Sequence, residues 1–163
     1  MDFLTTLKKE LQKEAPITRQ FLSIIPEDKF AWKPHPKSMD IMTLANHIAE
    51  LPSWFAYTID HEELDFATNP YQPQKNASTS TLLEFFEKTL EKGLKDLERA
   101  KPSDLEKLWT LREGEIIYSQ EPKWEVLRMA VSQIIHHRAQ LGVYLRLLDV
   151  PIPGSYGPSA DEV

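Results

Sequence analysis

The sequence predicts an all-α protein, a four-helix bundle formed by a single domain over residues 1–163. Three observations lead there. Four separate stretches repeat apolar residues at intervals of three, four or seven, the period of one helix face. A length of 163 residues suits one domain and can bury a core without disulfides or a structural metal. No internal repeat or low-complexity tract divides the chain. Four amphipathic helices in a domain of this size point to a bundle.

The first stretch runs from about Phe3 to Ile25 and carries Leu4, Leu7, Leu11, Thr18, Phe21 and Ile25. Pro16 lies within it, removing one backbone donor and crowding the preceding turn, so a kink or break is expected there. The second, about Met42 to Ile59, aligns Leu44, His47, Leu51, Trp54 and Thr58. Pro52 frees the carbonyl of Ile48 and predicts a bend. The third, about Thr81 to Ala100, aligns Leu83, Phe86, Leu90, Leu94 and Leu97. Ser and Thr at 78–81 offer N-caps, and Pro102 follows its end.

The fourth begins near Pro122 and runs to about Leu148, with Leu127, Ala130, Ile134, His137, Leu141, Tyr144 and Leu148 on one stripe. Before it, "LWTLREGEIIYSQEP" holds two short β-prone runs around "REGE", which predicts a hairpin. Residues 66–80 read as a polar, proline-containing loop, and the tail "PIPGSYGPSADEV" as irregular.

Composition excludes several functions. With no cysteine there is no disulfide, no cysteine-bound zinc and no cysteine nucleophile. A net charge of −6 argues against nucleic-acid binding, whose affinity comes from Lys and Arg on phosphates. The charged start "MDFLTTLKKELQKE" lacks a signal-peptide core, and no apolar run approaches the ~20 residues that cross a bilayer. A cytoplasmic protein with no membrane partner is expected. No G-x-S-x-G, phosphate-cradling glycine loop or His-Glu-x-x-His motif is present.

The histidines carry the chemistry. Successive helical residues turn by about 100°, so His137 falls on the apolar stripe and His136 beside it. His47 occupies the inward stripe of the second helix, and two inward histidines from different helices can meet inside a bundle. A hydrogen-bonded core-edge histidine is the competing role for each. His35, between prolines, and His61, among acids, read as structural or solvated. Catalytic zinc takes three protein ligands, and a third belongs one turn from His137. That position holds Gln133, whose amide oxygen is a neutral, weaker donor than imidazole.

The segments "IPEDKFAWKPHPKSM", "LANHIAELPSW" and "HHRAQLGVYLRLLDVPIPGSYGPSADE" resemble the DinB/YfiT-like superfamily over nearly the whole length. The family name refers to induction by DNA damage, not to DNA binding. The resemblance implies a four-helix bundle, commonly a homodimer, with a divalent metal on three histidines. His47 matches the ligand of the second helix and His137 the later ligand of the fourth. The earlier ligand of the fourth helix falls on Gln133, and His136 matches a neighbouring non-ligand position. Three outcomes of that departure stay open: Gln133 coordinates weakly, a water or an acidic side chain replaces it, or the metal is lost. Zinc or nickel is the expected ion, with iron the alternative.

Two functions follow. One is a metal-dependent transferase or hydrolase acting on a small molecule. In the transferase form a low-molecular-weight thiol such as bacillithiol, mycothiol or glutathione supplies the sulfur that this cysteine-free chain lacks. There Arg138 has two readings, partner of a substrate carboxylate or surface ion pair. The other function is a non-catalytic, stress-related bundle acting through dimerisation or partner binding, with Trp32, Trp54 and Phe55 the aromatic candidates for its contacts.

Overall fold

The computed structural model describes residues 2–163. Helix α1 spans Phe3–Ser23, capped by the Asp2 carboxylate on the amide of Thr5. It runs unbroken through Pro16. Leu4, Leu7, Leu11, Ala15, Thr18, Phe21 and Leu22 are buried on both sides of that proline. Packing therefore holds the helix across the missing donor, and the expected break does not occur.

At Pro52 the outcome is different. Helix α2 spans Ile41–Glu50, started by the Asp40 side chain accepting from Thr43 N. A 3-10 turn at Leu51–Ser53 follows, then helix α3 at Trp54–Asp60. The bend is supported from outside by Thr89, whose Oγ1 lies 2.5 Å from the Ala49 carbonyl, and from within by Ser53, whose Oγ donates to the Glu50 carbonyl at 2.7 Å. Gly93 lets the two segments touch, since a Cβ there would sit 2.6 Å from the Pro52 carbonyl oxygen.

Gly93 and Thr89 belong to helix α4, Thr79–Arg99, which opens with a capping box between Ser78 and Thr81. Helix α5 spans Lys123–Leu147 directly after Pro122. Its N-terminal end carries a buried lysine, Lys123, whose Nζ donates to the Ile59 carbonyl at 3.1 Å. Helices α1 and α2 each pack on both α4 and α5, and the core lies among them. Phe55 is fully buried, while Trp32 and Trp54 are half-buried and pack against the core.

The all-α expectation requires correction. The fold is mostly helical, but it carries a three-stranded sheet in the order β1-β2-β3. Strands β2 (Leu108–Glu113) and β3 (Ile116–Pro122) form the expected hairpin, turning at Gly114, whose φ is +56°. Strand β1 (Glu63–Asp65) pairs parallel to β2. Three residues cannot display an alternating pattern, so β1 is set by its partner and by Asp65 Oδ1, which accepts from Gly114 N at 2.9 Å. Trp109 of β2 is buried and lies 6.3 Å, ring centre to ring centre, from Trp54, seating the sheet on α3. No described helix is long and apolar enough to cross a membrane.

Candidate metal centre

His47 and His137 come together, their ring centroids 4.7 Å apart and their planes at 73°. Each is half-buried and reaches the centre from a different helix, as the two apolar stripes require. Each also makes the same local contact. His47 Nδ1 lies 2.7 Å from Glu50 Oε1, and His137 Nδ1 lies 2.8 Å from Gln140 Oε1, three residues on in both cases. An ionised carboxylate only accepts, so Nδ1 of His47 carries a proton, and in the neutral ring that leaves the lone pair on Nε2. Such a partner fixes the tautomer and orients the ring that would ligate a metal.

Burial lowers the His137 pKa below the usual imidazole value. The Gln140 bond opposes that shift, and the neighbouring His47 and His136 reinforce it. The ring is therefore neutral at neutral pH, the form that binds a metal.

Gln133 stands one turn before His137, and residues four apart on a helix project roughly 40° apart. Its amide oxygen is buried and has no hydrogen-bond partner. A buried acceptor left unpaired is costly, and a cation would satisfy it. Two imidazoles with Nδ1 engaged, and an orphaned amide oxygen on the residue one turn before His137, make up a donor set of two nitrogens and one oxygen, the chemistry a divalent ion takes. Among the described residues no group of three or more His, Cys, Asp or Glu converges as a ligand set.

The other three histidines are all exposed. His136 is exposed, with its ring 4.9 Å from that of His137. His35 is exposed and accepts from Lys37 N through Nδ1. His61 is exposed and packs its ring on Tyr57.

Both readings of Arg138 require correction, because the residue is buried and its guanidinium is taken up by groups of the protein itself. It is 2 % exposed, and its guanidinium lies 2.6 Å from Glu14 Oε2. Both hydrogens of that nitrogen are directed elsewhere, to the Glu14 carbonyl at 3.3 Å and Thr18 Oγ1 at 3.1 Å. Its other terminal nitrogen donates to the Tyr156 hydroxyl at 3.1 Å, which donates to Glu14 Oε1 at 2.9 Å. The "HHR" and "YGPSAD" segments thus meet in a structural network that fastens the tail to α1 and α5.

Glu50, Gln140 and Tyr71 escaped the sequence reasoning. The first two were accessible, since each follows a candidate ligand at i+3, where helical side chains meet. Tyr71, whose hydroxyl donates to Glu50 Oε1, has no such signal because it arrives from a loop. The same loop is tied to α2 by Asn76, whose amide donates to the buried Asn46 at 2.6 Å.

The family model of the DinB family matches residues 1–163. No curated protein sequence matches. A DinB-like protein of Bacillus subtilis superposes with a TM-score of 0.70 at 20% identity, covering 92% of this chain and 96% of its own. A DinB family member from Exiguobacterium sibiricum gives 0.70 at 17% identity, with 94% and 97% covered. A mycothiol-dependent maleylpyruvate isomerase gives 0.57 at 13% identity, with 87% of this chain and 63% of the isomerase covered. At these identities the neighbours establish the fold, and the family match extends over every residue. The chain belongs to the DinB family.

Proposed function

We propose that this chain is a divalent-metal-dependent enzyme whose ion is held by His47 and His137, with the Gln133 amide oxygen as a weaker third donor. The observation that carries the reading is the conjunction of two touching imidazoles, each fixed through Nδ1, with an unpaired buried oxygen one turn away. Zinc, nickel or iron all suit imidazole donors.

A bound ion supplies a Lewis acid that favours the thiolate or hydroxide form of a ligand near neutral pH. The chain's own residues supply the rest. Glu50 and Gln140 hold the two rings, and burial keeps His137 neutral. The chain contains no cysteine, so in a thiol S-transferase the sulfur nucleophile comes from a low-molecular-weight thiol. The fold shared with a mycothiol-dependent isomerase supports that choice over hydrolysis. The reaction site is proposed to act in a cytoplasmic homodimer.

Elemental analysis of untagged protein, wild type beside His47→Ala, is the test. Near-stoichiometric zinc, nickel or iron in the wild type, lost in the variant, is expected. Metal absent from both after incubation with excess ion refutes the reading. The alternative, a metal-free, non-catalytic bundle, then takes its place, favoured by the neutral amide where the family places an imidazole.

A further inference from the structure

A cavity of about 300 Å³ lies beside the histidine pair, sharing Glu50 with it. That volume is at the lower end of small-molecule sites, which run roughly 300–1,000 Å³. Its wall carries four aromatic side chains, Trp54, Tyr57, Phe66 and Tyr71. Glu50 is the one ionisable carboxylate among the lining residues, and no Lys, Arg or His is among them.

The orientation of Glu50 is informative. His47 Nδ1 and the Tyr71 hydroxyl both bind its Oε1. Among the described residues no hydrogen bond reaches Oε2, and the side chain is only 13% exposed. The aromatic wall is held in place as well. Asn69 donates to the Tyr57 hydroxyl, and Tyr71 is anchored on Glu50.

We propose that this cavity binds an organic ammonium group carried on a compact apolar body. Aromatic faces attract cations through their quadrupoles, most strongly where water is excluded. A partly buried carboxylate with an unused oxygen pairs with an ammonium by a charge-assisted hydrogen bond. The same carboxylate repels an anionic ligand, and the wall offers no cation to offset that repulsion. The chain's net charge of −6 favours approach of a cation. This assigns the substrate class, an amine-bearing small molecule. That the ligand is the substrate of the His47 centre rests on the function proposed above; its binding does not.

Chelator-treated, metal-free protein is titrated with benzylammonium, benzyl alcohol and benzoate at neutral pH, read by calorimetry and tryptophan fluorescence. Benzylammonium is expected to bind about tenfold or more tighter than benzyl alcohol, with benzoate weakest. Glu50→Gln should bring benzylammonium to the affinity of the alcohol and leave the alcohol itself unchanged. His47→Ala, which keeps the carboxylate, should still discriminate ammonium from alcohol. Equal binding of the three probes by the wild type, or no binding of benzylammonium, overturns the proposal. So does undiminished ammonium preference in Glu50→Gln. Failure of wild-type protein to take up metal would sink the proposed centre and leave this titration unaffected.

Discussion

Replacing Arg138 by methionine tests the network that joins α1, α5 and the tail. The Arg138 and Glu14 side chains are 3% and 7% exposed, so the variant leaves a carboxylate buried without its counter-charge. Removing one partner of a buried pair costs about 3–5 kcal/mol. A chain of this size shifts its melting temperature by about 2–4 °C per kcal/mol, giving a fall of roughly 6–20 °C. Urea unfolding at neutral pH reads the loss as a lower midpoint at unchanged slope. The double variant Glu14→Met with Arg138→Met should recover most of it, because neither charge remains to be desolvated. Tyr156 then loses two partners, but the residue is 71% exposed and can turn to water. A single-variant loss below about 1 kcal/mol, or a double variant less stable than the single, refutes the assignment of a buried, charge-paired network.

Three further outcomes are expected. Gln133→His restores an imidazole at the i−4 position from His137 and should raise metal affinity by about tenfold or more in chelator competition; unchanged affinity means residue 133 does not face the ion. Gly93→Ala should destabilise by about 1–3 kcal/mol although alanine is the better helix former, since its Cβ would collide with the Pro52 carbonyl; increased thermal stability would contradict that close approach. In acid, the tail should loosen. The Asp161 carboxyl is held below its ordinary 3.8 by Arg146 and the Ile152 amide, and that of Glu162 below 4.5 by the amides of Gly154 and Ser159. Depressed folded-state values mean that this stabilisation is complete above the ordinary pKa and lost as pH falls through the lowered ones. Hydrogen exchange over residues 152–162 should therefore accelerate in that window, and exchange independent of pH after correction for intrinsic rates would rule the pairing out.

Local physics was readable along the chain. Leu4, Leu7, Leu11, Thr18 and Phe21 are all buried, because a helix repeats its face within two turns and the pattern lies in neighbouring residues; Ile25 is buried too, but beyond the end of α1 at Ser23. The same periodicity turned His47 and His137 inward, where their rings meet. Pro16 and Pro52 show the limit of such reading. Both remove a backbone donor, yet only the second interrupts a helix, beside Gly93 and Thr89 of α4.

Whatever depends on residues far apart waited for the tertiary structure. Strand β1 exists through β2, 47 positions on, as Glu63 pairs with Thr110. Arg138 is charged and reads as surface, until Glu14 is placed against it from 124 residues away. Tyr71 reaches Glu50 only because the loop is anchored between α2 and α4. By itself the sequence determined the helices, the hairpin and the candidate ligands, since periodicity, turn chemistry and residue identity are local. The carboxylate behind His47, the unpaired Gln133 oxygen and the aromatic cavity were decided by packing, which brings together groups whose spacing along the chain carries no record of their meeting.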